Sequence, residues 1–458
     1  MTKTILEPAR TLPVVAEADV VVVGGGTAGF IAATAAARTG AKTILIERFG
    51  YLGGCTTTTY NTTIGLFFDS DGYQIIKGIP WEFVQRMKQE GEAFADGARS
   101  PEIWPPTTKK VALDMVTEAG VDLLFYTWVT NIIKSGDMVD AVIVENKGGR
   151  AAILGKVFID CSGDADLAAW AGAPCEMTAV EDLQQVSCDY LACGVDSAKV
   201  IAWARANRGK LIGARGLDIE HKGYGTEPMV SFTIPQPQTQ LNASGQVVHV
   251  GVMPTVKLLV YNQAVRLQGN SDIDPLDPRA LTYAEVNGLR GALEHLAYLR
   301  QNIPGFEHVF LVAQNHLGVR ETRRIVGDYM MSIDDLHNQA RFEDVVALNC
   351  RALDYHLRGT VFKISFLKGH HDVPLRALLP KNVANLLVAG RCISCDHLAQ
   401  ASLRGAATCM ATGHAAGVAA AIAAKGNGRV RETSVKDIQR MLLQQDAILS
   451  TENAPGGR

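Results

Sequence analysis

A glycine-rich turn between a buried strand and a helix constrains this sequence more than any other feature. The stretch from Asp19 to Gly50 reads DVVVVGGGTAGFIAATAAARTGAKTILIERFG. Its valine run predicts a strand covered on both faces, because buried parallel strands show continuous apolar residues. Gly24, Gly26 and Gly29 follow in G-x-G-x-x-G spacing, and the alanine-rich run after them favours a helix. This order predicts a dinucleotide-binding α/β unit.

The residues after the helix indicate which dinucleotide is bound. The apolar segment from Thr43 to Ile46 predicts a second strand that ends at Glu47. A carboxylate at this distance from the glycines accepts hydrogen bonds from an adenosine ribose. An acid here argues against a 2′-phosphate, which leaves FAD or NAD. The first helical residues, Thr27 and Ala28, would present backbone N–H groups to the pyrophosphate.

A second glycine pair favours FAD. Arg48 follows the acid, and Gly53 and Gly54 come a few residues later in FGYLGGCTTTT. Here the chain resembles the FAD-dependent oxidoreductases of the glutathione-reductase-like superfamily. The resemblance implies that Cys55 and Thr56 also contact the cofactor. A C-x4-C pair of the glutathione reductase type does not follow, so a disulfide-reductase mechanism is not expected.

Composition bounds the protein class. A chain of 458 residues predicts about two or three cores, and 47% hydrophobic with 20% charged residues is typical of a globular enzyme. The net charge of −3 gives no electrostatic reason to expect nucleic acid or an anionic membrane as partner. The nine cysteines indicate reduced thiols. With no secretory signal pattern and no apolar run of membrane-spanning length, we expect a cytoplasmic protein.

A further strand pair leads back to the cofactor. Segments Met138 to Asn146 and Arg150 to Ile159 predict a hairpin, because Lys147-Gly148-Gly149 between them is a turn signal. The sequence FIDCSGDADLAAW then matches a D-x-x-G-D element of the resembled superfamily. The match to this element consists of Asp160, Gly163 and Asp164. We assign Val129, Cys161, Gly163 and Asp164 to the cofactor site.

The middle of the chain has a looser pattern. Alternating segments over 247–252 and 256–261, with prolines at 235, 237 and 254, predict an antiparallel sheet with irregular edges. The expected fold class is therefore α/β: a Rossmann-like FAD-binding domain with a parallel sheet, and an inserted α+β substrate domain with an antiparallel sheet. We assign 1–175 and 372–458 to the discontinuous FAD-binding domain and 176–371 to the substrate domain.

The last third narrows the resemblance. LGVRETRRIVGDY, VPLRALLPKNVANLLVAGRCIS and ATCMATGHAAGVAAA are similar to the branch that groups fumarate-reductase-like and tRNA-modifying flavoproteins. The resemblance implies a strand from Asn385 to Ala389, and a helix from near Thr408 that aims its N-terminus at the flavin pyrimidine ring. A positive helix end there stabilises the reduced flavin. The implied cofactor contacts are Gly390, Arg391, Ala411, Thr412, Gly413 and His414.

Histidines and arginines are the candidate catalytic residues. Hydride transfer from an alcohol or amine needs a base, and His370 or His371 suits this task better than His397. Arg320 or Arg323 would anchor an anionic substrate group bidentately. The histidines could instead be ordinary surface or core residues. The arginines could instead be paired with neighbouring acids.

These features predict an FAD-dependent oxidoreductase acting on a small organic molecule. No second G-x-G-x-x-G follows a strand, so electrons would pass to oxygen, a quinone or a carrier protein rather than through an NAD(P)H domain. Two alternatives stay open: a flavoprotein subunit of an electron-transfer complex, and a non-redox or tRNA-modifying role. Cys392 and Cys395 have C-x-x-C spacing without a second pair, so we expect no metal. The C-terminal helix, expected over 435–449, would pack on the FAD domain or on a partner subunit of a homo-oligomer.

Overall fold

The computed structural model describes residues 3–61, 63–90, 93–94, 101–211, 213–215, 217, 230–235, 247–253, 258–264, 273–356 and 363–451. The helices of these residues are α1 (Thr27–Arg38), α2 (Cys55–Thr58), α3 (Ile79–Gln89), α4 (Pro105–Glu118), α5 (Asp166–Trp170), α6 (Ser197–Ala206), α7 (Pro278–Asn302), α8 (Ile333–His337), α9 (His397–Leu403), α10 (Ala406–Ala424) and α11 (Val435–Gln444). Their strands are β1 (Val14–Val23), β2 (Thr43–Ile46), β3 (Ala93–Phe94), β4 (Glu102–Ile103), β5 (Asp122–Leu124), β6 (Trp128–Ser135), β7 (Met138–Asn146), β8 (Gly149–Asp160), β9 (Cys175–Glu176), β10 (Ser187–Cys193), β11 (Gly213–Arg215), β12 (Val230–Pro235), β13 (Val247–Met253), β14 (Leu258–Ala264), β15 (Phe310–Gln314), β16 (Arg324–Ile325), β17 (Val345–Asn349), β18 (Leu353–Tyr355), β19 (Lys363–Ser365), β20 (His371–Pro374) and β21 (Leu386–Val388).

The first sheet is built from both ends of the chain. Its order is β5-β2-β1-β8-β7-β6, with β21 paired to β8. Strands β5, β2, β1, β8 and β21 run parallel, whereas β7 and β6 form antiparallel pairs. Valines of β1 alternate between the two core clusters on opposite faces of the sheet. This burial on both faces explains the continuous apolar run in the sequence.

Helices α1 and α10 pack directly against each other on one face of this sheet. A Cβ atom added to Gly413 would lie 2.2 Å from the backbone oxygen of Ala28, and one added to Gly417 would lie 2.2 Å from that of Ala32. Glycine at these two positions therefore lets the helix backbones touch. Helix α10 is long and apolar enough to cross a membrane by length and composition, but 94% of its apolar window is buried inside the protein, as in a core helix.

The second sheet is antiparallel. Its order is β11-β12-β13-β14-β10-β15, and every pair in it is antiparallel. Helix α7 covers one face of β10 and β15, where Tyr190 and Leu296 belong to a shared apolar cluster. In this region residues 236–246 and 254–257, with part of the predicted strand at 256–261, lie outside the described residues.

The predicted fold class is confirmed: a parallel-rich Rossmann-like sheet is combined with an antiparallel sheet. The predicted hairpin of β7 and β8 is also found, with Asn146 opposite Gly149. The C-terminal helix ends at Gln444 rather than near Leu449, because Asp446 adopts a φ of 66°, which a helix does not accommodate. The boundaries at 175 and 372 between the two predicted domains stay a prediction.

Candidate cofactor and substrate site

Two glycine loops run side by side at the carboxyl ends of β1 and β2. Gly26 and Gly53 form a parallel bridge, and Gly53 donates its N–H to the oxygen of Gly25 at 2.9 Å. A Cβ on Gly54 would lie 2.7 Å from the Cα of Gly26, so a side chain would separate the loops. The second glycine pair therefore follows the first, as the sequence predicts.

Each glycine of the first loop has its own steric reason. Gly24 has a φ of 96°, and a Cβ there would lie 2.5 Å from the backbone oxygen of Cys161. A Cβ on Gly29 would lie 1.7 Å from the oxygen of Gly24. At Gly26, by contrast, the nearest protein atom would be 3.7 Å away. Of these three positions, Gly26 alone leaves room for a Cβ atom beside the protein, which suits the close approach of a pyrophosphate.

Glu47 stabilises the first glycine loop by accepting two backbone hydrogen bonds. Its Oε2 accepts the N–H of Gly25 at 2.7 Å, and its Oε1 accepts the N–H of Phe49 at 2.9 Å. Burial raises the pKa of this carboxyl, and the two backbone N–H groups oppose that shift. Arg48 lies over the rings of Phe49 and Trp128, next to Val129.

The loop after β8 lies beside the first glycine loop, because β8 pairs directly with β1. Asp160 accepts the N–H and hydroxyl of Ser162, which fixes the turn. Asp164 pairs with Arg391, whose Nη2 lies 2.7 Å from its Oδ1, close to Gly163. The Nη1 atom of Arg391 is buried and has no partner among the residues that the structure describes. Within this part of the chain, Arg391 therefore has one nitrogen left to bind an anionic group.

Helix α10 begins at Ala406, earlier than the predicted start near Thr408. Its N-terminal turn consists of residues 406–409, and the residues predicted as flavin contacts lie deeper in the helix. Thr412 Oγ1 accepts the N–H of Gly390 at 3.1 Å, and His414 Nε2 lies 2.8 Å from Gln445 Oε1. Thr412 and His414, like Ala411 and Gly413, lie inside the helix, beyond its N-terminal turn. The helix-dipole argument therefore applies to residues 406–409 instead. The N-cap residue is Gly405, which has no side chain to form a cap, so the local sequence carries only a weak signal for this start.

Cys55 and three arginines lie beside the glycine loops, in a region that we call the cleft. The side chain of Cys55 is exposed. Desolvation by the surrounding protein raises the pKa of its thiol, and Arg391, Arg404 and Arg351 are near enough to oppose that rise. Next to Cys55, Thr56 is buried and bonds the oxygen of Gly53.

Arg351 and Arg404 are incompletely paired. Each donates from Nη2 to Asp354 Oδ2, at 3.2 Å and 3.3 Å, but the Nε atoms of both are buried without a protein partner. Burial lowers the pKa of Arg404 to about 10. His356 Nε2 lies 3.0 Å from Asp354 Oδ1. Burial works against ionisation of Asp354, but His356 and the two arginines hold its pKa well below the usual range.

The two candidate histidines both contact polar side chains of the protein. His370 Nδ1 is 2.8 Å from Asp69 Oδ2, and its Nε2 lies 3.1 Å from Arg341 Nη2. His371 is 1% exposed, contacts Asn349, and has its pKa lowered to about 3 by burial. Both imidazoles bond to neighbouring protein groups, so the geometry does not favour either as the base.

The two candidate arginines differ in position. Arg323 donates to the oxygen of Asp164 and to the carboxylate of Asp166, so it braces the cofactor loop rather than facing a substrate. Arg320 donates to the oxygen of Gln185, and burial lowers its pKa despite the acids near it. It belongs to the same buried charge cluster as Asp354. Of the two predicted anchors, the structure brings only Arg320 to the cleft.

Arg351, Arg404, Asp354 and His356 were not foreseen from the sequence. Arg351 follows the buried strand β17, and Arg404 precedes the N-terminus of α10. A charged residue directly beside a buried element is the signal that could have found them. No group of three metal-binding side chains occurs among the described residues, and all nine cysteines, each within those residues, are free.

A separate cavity of about 430 Å³ is lined by Arg10, Ile133 and Arg150. It lies where Val14 begins β1, at the opposite end of that strand from the glycine loops. It is therefore not part of the cleft.

Comparison with known proteins places these features in context. The family described as FAD dependent oxidoreductase matches residues 19–442. A search of curated proteins found no match. The structure resembles a geranylgeranyl bacteriochlorophyll reductase-like protein from Thermoplasma acidophilum, with 14% identity, TM-score 0.46, and coverage of 95% of this chain and 84% of that one. It also resembles the flavin-dependent brominase Bmp2, with 13% identity, TM-score 0.47, and coverage of 94% and 84%.

Proposed function

The chain belongs to the FAD dependent oxidoreductase family, and on that premise we propose that it transfers hydride between FAD and a small anionic organic molecule. Bound FAD supplies the two-electron chemistry. The chain's own residues would bind and orient the substrate beside it. Two features of the cleft support this proposal: its fit to FAD and its surplus of positive charge.

The residues present fit FAD. The open space at Gly26 suits a pyrophosphate, since a Cβ there would meet no protein atom closer than 3.7 Å. Glu47 keeps oxygen lone pairs for a ribose besides the two backbone bonds it accepts. The unpartnered Nη1 of Arg391 is suited to an anionic oxygen of the cofactor.

The observation that carries the substrate class is the pair of unpartnered guanidinium nitrogens on Arg351 and Arg404. A buried donor without a partner costs about 1–3 kcal/mol, so each Nε favours a ligand with acceptor oxygens. With Arg391, both arginines lie close enough to Cys55 to influence its thiol. A carboxylate is the organic group that best matches two guanidinium forks.

The finer branch of the family is also a proposal. We favour the fumarate-reductase-like side over the tRNA-modifying side, because the net charge of −3 offers no basic surface for RNA. The electron acceptor would be oxygen, a quinone or a carrier protein. A cytoplasmic location and a homo-oligomer are expected on the sequence arguments given above.

An anaerobic absorbance experiment tests this function. The purified protein would be titrated with small alcohols, amines, hydroxy acids and the uncharged amides of the same acids, while the flavin band is followed. We expect reduction by a carboxylate compound and little by its amide. If NAD(P)H alone reduces the flavin, the proposal is wrong and the protein is a nicotinamide-dependent reductase.

Two variants sharpen this test. Arg404→Gln should raise the substrate concentration for half-maximal reduction about tenfold or more, since the loss of a charged hydrogen bond costs about 1.5–3 kcal/mol. Arg376→Gln is the matched control, because Arg376 pairs with Asp344 away from the cleft and is about half exposed. Equal effects of both substitutions would contradict the assignment of the anion site.

A further inference from the structure

We propose that Asp189 and Asn315 form a subsite for the hydroxyl group of a small hydroxy acid, and that Asp189 is the catalytic residue that takes its proton. This inference rests on the proposed function, because the carboxylate end of the same substrate would bind Arg351 and Arg404. It names the substrate class and a base that neither the sequence patterns nor the family match assigns.

The face of β10 on which Asp189 lies is turned away from α7. Side chains alternate along a strand, and Cys188 and Tyr190 lie on the face covered by that helix. A Cβ on Gly288 of α7 would lie 2.6 Å from Cys188 Sγ, and Tyr190 contacts His295 of α7. Asp189, between them, therefore lies on the opposite face.

Asn315 shares that face. In the ladder between β10 and β15, Tyr190 pairs with Gln314, which bonds a backbone oxygen of α7. Asn315 comes next and donates its backbone N–H to the oxygen of Asp189 at 3.1 Å. Cross-strand neighbours project to the same side of a sheet. The carboxyl and the amide are therefore adjacent.

Both side chains are buried with an unmet hydrogen-bonding atom. Asp189 is 7% exposed and Asn315 is 5% exposed. The Oδ1 of Asp189 and the Nδ2 of Asn315 have no partner among the described residues, and they do not bond each other. One atom accepts and the other donates, so a hydroxyl group, which donates and accepts at once, satisfies both. An ammonium group has no lone pair for the amide of Asn315.

The subsite adjoins the cleft. His316, which follows Asn315, donates its N–H to the oxygen of Thr58 in α2, the helix that Cys55 begins. Arg320 interacts electrostatically with both Asp189 and Asp354, the partner of Arg351 and Arg404. Arg320 thus lies within electrostatic range of both carboxyls. The proposed hydroxy acid would place its carboxylate at the arginine pair and its hydroxyl at this subsite.

The electrostatics suit a base that works near neutral pH. Burial raises the pKa of Asp189 to about 7, and Arg320 and a hydrogen bond from Ser187 oppose that rise. Arg320 is the charged group that faces Asp189 in the part of the chain that the structure describes, with Asp354 and His356 beyond it. The ionised carboxylate therefore becomes available as pH rises through about 7.

The proposed step balances in atoms and electrons. The hydroxyl O–H bond breaks and its proton passes to Asp189, while the hydride of the adjacent C–H bond leaves for FAD. The carbon–oxygen single bond becomes a carbonyl. The hydroxy acid is oxidised by two electrons to an oxo acid, and FAD is reduced by two electrons.

The test compares matched pairs of compounds in three forms of the FAD-loaded protein. Lactate with alanine, and malate with aspartate, would be mixed anaerobically with the wild type, Asp189→Asn and Glu294→Gln. Glu294, an exposed carboxyl of α7, is the control. We expect hydroxy acids to reduce the flavin faster than the matching amino acids. Asp189→Asn should slow this about 10²- to 10⁴-fold, and Glu294→Gln should not.

A second readout does not depend on turnover. Difference infrared spectroscopy of the wild type should show a carboxylic acid band that disappears with a midpoint near pH 7 and is absent in Asp189→Asn. Addition of oxalate, an anion that cannot be oxidised here by hydride loss, should move that midpoint. If Asp189→Asn does not fold, this band and an Asn315→Ala variant, expected to slow reduction about tenfold or more, decide the question.

The outcomes separate the two proposals. Wild-type rates in Asp189→Asn, faster reduction by amino acids, or an unmoved infrared band would overturn the subsite and leave the proposed function intact. A flavin that dithionite reduces but no organic acid reduces would overturn both.

Discussion

At the scale of single residues, the glycines of the first loop are present for different steric reasons. Gly24 and Gly29 are required by the protein itself, because a Cβ at either position would collide with backbone atoms. Gly26 has a φ of −68°, which alanine adopts without strain, and a Cβ there meets only ordinary contacts. The fold therefore does not require glycine here, which agrees with the predicted contact between Gly26 and a pyrophosphate.

Gly26→Ala should thus separate folding from cofactor binding. We expect the flavin-free variant to unfold at the wild-type temperature, while its FAD affinity falls about tenfold or more, which is about 1.4 kcal/mol. Equilibrium dialysis with FAD and thermal unfolding would measure the two properties. Gly209→Ala is the control, because a Cβ there meets nothing within 4 Å and lies far along the chain. Unchanged FAD affinity in Gly26→Ala would contradict the assignment of this loop.

At the scale of elements, α10 is held between α1 and the end of α11. Gly413 and Gly417 allow close contact with α1, and His414 reaches Gln445 just after α11. These contacts account for the small residues of ATGHAAGV without any ligand. The imidazole in this packed position is 1% exposed, and burial lowers its pKa to about 4.

His414→Gln should make the protein less sensitive to acid. The unfolded histidine gains a proton below about pH 6.5, whereas the folded one stays neutral down to about pH 4. Stability is therefore lost as pH falls through this window, with a slope of about 1.4 kcal/mol per pH unit for one histidine. Glutamine keeps a donor for Gln445 and carries no such proton. Urea unfolding at about pH 7 and about pH 5 should favour the variant by about 2 kcal/mol at the lower pH.

His308→Gln, at an exposed position, is the control for this measurement. A wild-type protein and a His414→Gln variant that lose stability in parallel on acidification would show that His414 titrates alike in both states. The buried position of α10 would then need revision.

At the scale of the whole molecule, the candidate cofactor site joins segments that are far apart in the chain. Gly26 and Gly54 come from the first sixty residues, whereas Arg391 comes from the last seventy. Strand β8 pairs with both β1 and β21, so the same sheet positions both segments. Bound FAD would thus connect both ends of the chain.

Removal of FAD should accordingly destabilise the protein as a whole. A ligand present at a hundred times its Kd adds about 2.7 kcal/mol to the free energy of unfolding. We expect the flavin-free protein to unfold at a lower temperature, and added FAD to restore the loaded value in a concentration-dependent way. Riboflavin, which lacks the pyrophosphate, is the control and should restore much less. Equal unfolding of the flavin-free and loaded forms would contradict a site shared by both chain ends.

Local sequence determined the cofactor half of this protein. The valine run, three spaced glycines, Glu47 and the Gly53-Gly54 pair lie within about forty residues, and each acts on its nearest neighbours. Turn geometry and strand burial depend on short stretches of chain, so they can be recognised in the amino-acid sequence. The parallel sheet, the hairpin of β7 and β8 and the fold class were predictable for the same reason.

The substrate half was decided by tertiary structure alone. Arg351, Arg404, Asp189 and Asn315 come from four separated segments, and no local pattern links them. Whether an arginine is paired, as Arg323 is with Asp166, or retains an unmet donor, as Arg404 does, depends on which distant acids pack beside it. His370 and His371 had a plausible sequence position, but His371 pairs with Asn349 in the ladder of β17 and β20, and His370 contacts Asp69. Hydrogen-bond satisfaction in a packed interior is a long-range property, so only the folded chain reveals it.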